Sequence, residues 1–101
     1  MSDRPRILVT EKIAEGGIDV LRSVGEVDVE LEWSADELAE RIAPYDALVV
    51  RSATKVTADL IAAAPRLGVV GRAGTGVDNV DVPAATERGI VVVNAAGSNA
   101  V

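Results

Sequence analysis

The stretch that decides the fold, Gly68 to Asp81, reads GVVGRAGTGVDNVD. It begins as a short apolar strand, continues as a glycine-rich turn that carries Arg72, and ends at an aspartate placed to cap a helix. Gly71, Gly74 and Gly76 allow positive φ and let a ligand approach the main chain closely. A permanent cation beside exposed N–H groups predicts a small anion-binding cradle.

A dinucleotide-binding loop is the obvious alternative for this turn, but the spacing of the glycines is wrong. After Gly74 and Gly76 the third glycine of that fingerprint falls on Asn79. The acidic residue expected about 20 positions further on is also absent, because residues 96–98 are Ala, Gly and Ser. The glycines could equally serve only a tight turn, since lone glycine loops are weak signals.

The length and composition of the chain restrict its class. A chain of 101 residues corresponds to one domain, residues 1–101, and its core must be aliphatic because it has no Phe, one Trp and one Tyr. A net charge of −6 argues against nucleic acid as a partner. Without Cys or His, disulfides, thiolate metal sites and the commonest general base are excluded. MSDRPRILVT lacks the apolar core of a signal peptide and no segment is long enough to span a membrane, so we expect a cytoplasmic protein.

Outward from the central stretch, apolar runs alternate with helical patterns. Five runs predict strands: Arg6 to Thr10, Val27 to Leu31, Asp46 to Val50, Val69 to Val70 and Ile90 to Val93. Four intervening segments predict helices, marked by Gly25 as a left-handed C-terminal cap, a Ser34–Glu37 capping box, N-caps at Thr57 and Asp81, and Gly89 just past the last helix.

This alternation predicts an α/β fold with a parallel sheet and helices on both faces. For five strands the common flavodoxin-like, doubly wound order is 2-1-3-4-5. Val27, Val29 and Leu31 alternate with acidic residues, which is the half-exposed pattern of a sheet edge and agrees with that order.

Polar residues follow three strands that are neighbours in this order: Arg51 and Ser52, then Arg72, then Asn94. Ligands of open α/β sheets bind at the carboxyl ends of the strands. We therefore predict a polar pocket at this edge, completed by the glycine-loop amides and residues 94–99. Two guanidinium groups with backbone donors suit a small dianion or trianion, such as a phosphorylated carboxylic acid.

Each of these residues also has a purely structural interpretation. A single arginine after a strand is usually a solvated or salt-bridged surface group. Asp78 and Asn79 could equally use their side chains locally in a turn. Asp81 is assigned to helix capping, and Trp33, just before a helix cap, to packing.

Two other flavodoxin-like classes fit less well. A phosphoacceptor receiver domain needs an aspartate at the end of the third strand and acidic residues after the first, where this chain has Arg51 and residues 10–12 (Thr, Glu, Lys). A flavin-binding module needs a phosphate loop after the first strand and aromatic residues flanking the ring, and neither is evident.

The runs VVRSATKVTADLIAAAPRL and GVVGRAGTGVDNVDVPAATERGIVVVNAAGSN resemble the N-terminal part of the D-3-phosphoglycerate dehydrogenases, a group within the D-2-hydroxyacid dehydrogenase family. The resemblance covers essentially the whole chain. It implies a substrate-binding lobe that closes over a separate NAD-binding Rossmann domain, in an enzyme that oxidises 3-phosphoglycerate to 3-phosphohydroxypyruvate in serine biosynthesis.

The resemblance also implies roles for particular residues. Arg51, Ser52 and Arg72 would hold the charged groups of the substrate. The loop Gly74, Thr75 and Gly76 would offer backbone N–H groups to its carboxylate, with Thr75 also near the nicotinamide. Asn99 would close the site.

The chain departs from the family pattern in two ways. Ala96 stands where the family usually has Pro, and Gly68 where a Lys is common. The glycine fingerprint for NAD and the catalytic Arg, Glu and His of the family lie beyond Val101, and this chain has no histidine to act as acid or base. We therefore expect no catalytic residue, no NAD binding and no dehydrogenase activity in the isolated chain.

Other possibilities remain open. The lobe either keeps weak affinity for its substrate or loses it without the Rossmann domain, and the second is favoured. The alternative to the enzyme lobe is a stand-alone anion-binding or structural module with no enzymatic role. A surface that normally faces a partner domain would favour self-association into a homo-oligomer.

Overall fold

A computed structural model describes residues 4–73 and 78–94. Within these ranges the chain alternates strictly between strand and helix, as predicted. The elements are β1 (Arg6–Val9), α1 (Glu15–Val24), β2 (Glu26–Val29), α2 (Ala35–Arg41), β3 (Ala47–Val50), α3 (Ala58–Ala62), β4 (Val69–Arg72), α4 (Val82–Glu87) and β5 (Val91–Asn94). None of the helices in the described part has the length and apolar character needed to cross a membrane.

The five strands form one parallel sheet in the order β2-β1-β3-β4-β5, which confirms the predicted topology. The second strand lies at an edge, as its alternating pattern indicated. It ends at Val29, so Leu31 lies beyond it and is 52% exposed. The predicted boundaries of the other strands differ from the observed ones by one or two residues at an end.

The main core lies between the sheet and the layer formed by α2, α3 and α4. Its members from the sheet are on alternate positions of the central strands, which places them on one face. The cluster includes Leu8, Leu48, Val50 and Val70 from strands, and Leu38, Leu60, Ile61 and Ala85 from helices. Because the crossover from β1 to β2 runs in the opposite direction to the later ones, right-handed connections place α1 on the other face.

Side-chain caps fix the starts of the three core helices. Ser34 and Glu37 form the predicted capping box, with the Ser34 hydroxyl accepting from the Glu37 N–H at 3.2 Å. Thr57 accepts from Leu60 N at 3.1 Å, and an Asp81 carboxylate oxygen accepts from Ala84 N at the same distance. These bonds satisfy N–H groups that have no partner inside the helix.

The predicted left-handed cap at Gly25 is wrong. Gly25 has φ −160° and ψ −175°, which is extended backbone that any residue can adopt. Glycine is needed there because of space, since a Cβ would lie 2.5 Å from the Pro5 carbonyl oxygen and 2.9 Å from Ile7 Cδ1. Among the residues that the structure describes, the glycine with a left-handed conformation is Gly89, with φ 73° just past α4.

The sheet face opposite the main core is apolar and only partly covered. Helix α1 packs beside β2, at the other end of the sheet from β4 and β5. Val69, Val91 and Val93 on those strands are 40%, 56% and 44% exposed. Register places Val69 beside Val91, so the exposed side chains form a continuous patch, which we call the open valine face.

Tyr45 packs in the core while its hydroxyl donates to Asp28 Oδ2 at 2.6 Å. Burial, followed by this bond to the carboxylate, raises the pKa of Tyr45 to about 12. Neutral Tyr45 therefore stabilises the fold fully below pH 10, and this contribution is lost as the pH rises through about 12.

Because the chain has a single tyrosine, its ionisation can be followed by ultraviolet absorbance without ambiguity. We expect a midpoint of about 12 in the folded chain and an ordinary midpoint near 10 in denaturant. Asp28→Asn should lower the folded midpoint, because the amide carries no charge to oppose ionisation. A folded midpoint near 10 would contradict the Tyr45–Asp28 contact.

Candidate functional site

The predicted anion residues that are described lie at one edge of the sheet. Register pairs Val50 with Arg72, and Arg72 with Asn94, so β3, β4 and β5 end side by side. Arg51 and Ser52 follow β3 directly and are exposed, whereas Arg72 is half-buried. Gly74, Thr75, Gly76 and Asn99 lie outside the described residues.

Glu11, just after β1, holds the backbone of the loop of residues 51–54. Its carboxylate accepts hydrogen bonds from Arg51 N at 2.7 Å, Thr54 N at 2.9 Å and Ala53 N at 3.1 Å. Burial alone would raise the pKa of the Glu11 carboxyl, but these hydrogen bonds outweigh it and leave the pKa below its ordinary value of 4.5. A hydroxyl contact of 2.9 Å between Thr10 and Thr54 also joins the two segments.

Asn79 joins this loop to the end of β4. Its side chain is 7% exposed, and its Oδ1 accepts from Arg72 Nε at 2.7 Å. Its Nδ2 donates to the carbonyl oxygens of Arg51 at 2.5 Å and Thr54 at 2.6 Å. Asn79 lies in a turn, but the interpretation that its side chain acts locally is wrong, because Arg51 and Thr54 are 28 and 25 residues away in sequence.

Backbone contacts hold the same segments together. Val56 and Val80 form an isolated parallel bridge, in which Val56 N donates to Asn79 O and Asp81 N donates to Val56 O, each at 2.8 Å. Ala73 N donates to Val50 O at 2.8 Å. The residues that follow β3 and those that follow β4 are therefore fixed relative to each other through main chain and side chain.

The edge carries the charge that an anion requires. Arg51 extends across the loop, where one guanidinium nitrogen lies 3.4 Å from the Lys12 carbonyl oxygen. The nearby Glu11 carboxylate is directed at three backbone N–H groups. Arg51 and Arg72 therefore lie at the ends of adjacent strands, with the Arg51 guanidinium extended toward the segment that follows β1. Guanidinium groups are the side chains best suited to bind phosphate or carboxylate.

A cleft of about 710 Å³ lies on the helix side of the same edge. Its lining includes Thr10, Trp33, Thr54 and Leu60, and neither Arg51 nor Arg72 contributes to it. Trp33 packs against the core with the Arg41 guanidinium 5.4 Å from its ring centre, which confirms the packing role predicted for it. No group of acidic side chains in the described ranges is arranged to hold a metal ion.

Comparison with known proteins identifies the family. Residues 7–101 match the family model described as "D-isomer specific 2-hydroxyacid dehydrogenase, catalytic domain". The chain belongs to this family. A chloroplastic D-3-phosphoglycerate dehydrogenase of Arabidopsis thaliana is 54% identical over 99 residues, which is 97% of this chain and 16% of the relative. The D-3-phosphoglycerate dehydrogenase of Methanocaldococcus jannaschii is 53% identical over 96 residues, 95% of this chain and 18% of the relative.

Solved structures show the same fold in the family. A protein from Pyrococcus horikoshii has a TM-score of 0.88 and 33% identity, covering 93% of this chain and 28% of that one. The NAD⁺-bound 3-phosphoglycerate dehydrogenase of Entamoeba histolytica has a TM-score of 0.78 and 30% identity, covering 90% of this chain and 32% of that one. The chain therefore spans only a minor part of the length of these family members.

Proposed function

We propose that this chain is the substrate-binding lobe of an NAD-dependent dehydrogenase that oxidises 3-phosphoglycerate to 3-phosphohydroxypyruvate in serine biosynthesis. The observation that carries the proposal is the placement of Arg51 and Arg72 at adjacent strand ends, with the loop of residues 51–54 held by Glu11 and Asn79. The similarity to D-3-phosphoglycerate dehydrogenases over nearly the whole chain supports the choice of substrate.

The work of the lobe in this proposal is electrostatic and geometric. 3-Phosphoglycerate carries a phosphate and a carboxylate, and Arg51 and Arg72 would pair with these groups. Ser52 would add a hydroxyl donor beside Arg51. As the family resemblance implies, Thr75 would contact the substrate and lie near the nicotinamide, and Asn99 would close the site. Binding both charged ends would orient the carbon that loses hydride.

The described residues do not fit NAD itself. Asn79 occupies the third glycine position of a dinucleotide fingerprint, and its buried amide is already engaged in three hydrogen bonds. When bound elsewhere in the enzyme, NAD would supply the hydride acceptor. We therefore propose that a separate Rossmann domain binds NAD, and that this chain alone shows no NAD reduction with 3-phosphoglycerate.

Two further points stay proposals. The open valine face supports self-association of this chain, which sedimentation over a range of concentrations tests, with a constant monomer mass as the contrary result. The prediction of a cytoplasmic protein also stays a prediction, since the relatives include chloroplastic proteins of Arabidopsis.

The test of the substrate site is an amide-resolved NMR titration of the chain with 3-phosphoglycerate, using glycerol as the uncharged control. A substrate pocket that is already formed in the isolated lobe predicts shifts centred on Arg51, Ser52 and Arg72. Arg72→Gln should weaken the affinity about tenfold, because a charge-assisted bond of about 1.4 kcal/mol is lost. Arg66→Gln is the matched control, because it removes the same charge from an exposed side chain that pairs with Asp46.

Arg66→Gln should leave the affinity within about twofold, because exposed pairs away from a site contribute little. If the two arginine variants weakened the affinity equally, binding would depend only on the net charge of the chain. A well-dispersed spectrum that does not move with 3-phosphoglycerate would contradict a substrate pocket preformed in the isolated chain. It would mean that the lobe folds and that binding requires closure against the Rossmann domain.

A further inference from the structure

We propose that Asn79 is a positioning residue, which holds the Arg72 guanidinium and the backbone of the loop of residues 51–54 in one arrangement for anion binding. This inference rests on the proposed function, because it concerns the same site. Nothing in the sequence pattern assigns a long-range task to Asn79, which occupies a turn after the glycine loop. The assignment comes from three side-chain contacts to two separate segments.

The hydrogen-bonding capacity of the amide is matched to its surroundings. Nδ2 carries two hydrogens, and it donates them to two acceptors, the carbonyl oxygens of Arg51 at 2.5 Å and Thr54 at 2.6 Å. Oδ1 faces the Nε–H of Arg72 at 2.7 Å. The neighbours therefore determine which end of the amide is oxygen, because a reversed amide would place its oxygen against two carbonyls.

No other side chain of the same length meets these requirements. An aspartate would keep the bond to Arg72 but would turn both donations into repulsion between oxygens. A leucine or alanine would leave the carbonyl oxygens of Arg51 and Thr54 without this donor. Because Asn79 is only 7% exposed, water has little access to replace the lost hydrogen bonds.

The same contacts link the Arg72 side chain to the backbone of Arg51. A guanidinium is planar and rigid, so the hydrogen bond at Nε restricts the orientation of the whole Arg72 head group. On the loop, Glu11 binds the N–H of Arg51 while Asn79 binds its carbonyl oxygen. The peptide groups on both sides of Arg51 are thus fixed, and the Asn79 side chain contacts both arginine segments.

The first test is independent of substrate. The Nε–H signal of Arg72 in the 101-residue chain is expected to be shifted and protected from exchange with water. Asn79→Ala should remove this protection, and Asn79→Asp should retain part of it. Asp46→Ala is the matched control. Asp46 directly precedes β3, at the opposite end of the strands from the candidate site, and its carboxylate accepts hydrogen bonds from Arg6 and Arg66.

The second test measures affinity for 3-phosphoglycerate. We expect Asn79→Ala to weaken binding about tenfold and Asp46→Ala by less than about twofold, although both remove hydrogen bonds between separate segments. In an Arg72→Gln background the loss caused by Asn79→Ala should fall to about threefold or less, because part of it acts through Arg72. A purely structural role would give the same loss in both backgrounds.

The outcomes separate the two claims. If the parent chain and every variant fail to bind, the proposal that this lobe alone forms the substrate site fails, and the Arg72 Nε–H signal alone decides the role of Asn79. If the parent chain binds but Asn79→Ala behaves like Asp46→Ala, the positioning role is overturned while the proposed function stands. An Arg72 signal that Asn79→Ala leaves unchanged also overturns the positioning role.

Discussion

Gly25→Ala is expected to destabilise the fold by about 2–3 kcal/mol, whereas Gly16→Ala should stabilise it by about 0.5–1 kcal/mol. The two glycines lie at opposite ends of α1. At Gly25 a Cβ would lie 2.5 Å from the Pro5 carbonyl oxygen, and a backbone atom cannot move away cheaply. At Gly16 no atom lies within 4 Å of the added Cβ.

The displacement at Gly25 would also disturb the start of the sheet. The Pro5 carbonyl accepts from Glu26 N at 2.8 Å, and the Gly25 carbonyl accepts from Arg4 at 3.0 Å. Thermal unfolding should therefore show a melting temperature about 10 °C lower for Gly25→Ala and a few degrees higher for Gly16→Ala.

Asparagine separates the two explanations for Gly25. A left-handed cap tolerates asparagine, which adopts positive φ more readily than alanine. Gly89, with φ 73° and open space around a built Cβ, should therefore accept asparagine better than alanine. At Gly25 asparagine should be as damaging as alanine. Tolerance of Gly25→Asn would indicate that conformation and not space selects glycine there.

The helix caps could be predicted from the sequence, whereas the role of Gly25 could not. Ser34, Thr57 and Asp81 act on N–H groups within three residues, so local spacing predicts them. The strand order followed from the alternation of elements and from the edge pattern of Val27 and Val29. At Gly25 the deciding atom belongs to Pro5, which no periodicity connects to it.

Some residues of the candidate site could likewise be predicted from the sequence, and others could not. Arg51 and Arg72 could be predicted because each directly follows an apolar strand. Asn79 could not, because its amide contacts Arg51, Thr54 and Arg72 only after the crossover through α3 has placed β3 beside β4. Glu11 carried a usable signal, since it stands at the carboxyl end of β1. Its partners are backbone N–H groups, which have no mark in the sequence.

Glu11→Gln is expected to destabilise the chain by about 2 kcal/mol at pH 7, since hydrogen bonds to a charged acceptor contribute about 1.5–3 kcal/mol each and water replaces part of the loss. The three N–H groups of Arg51, Ala53 and Thr54 face the carboxylate. An amide can accept from only one side and would present its own hydrogens to the remaining donors.

The same substitution should change the dependence of stability on pH. The pKa of Glu11 is lower in the folded chain than the ordinary 4.5, so ionised Glu11 favours the folded state. This contribution is fully present above the unfolded pKa and is lost as the pH falls through the lower folded pKa. The difference in unfolding free energy between parent and variant should therefore shrink in acid.

Denaturant unfolding from neutral to acidic pH measures this difference, with Glu40→Gln as the matched control. Glu40 is an exposed glutamate on α2, and its replacement should give a stability close to the parent at every pH. A constant difference across the pH range for Glu11→Gln would mean that the charge on Glu11 does not hold the loop. The arrangement of Arg51 would then depend on Asn79 and the backbone alone, because these are the other contacts that fix its peptide groups.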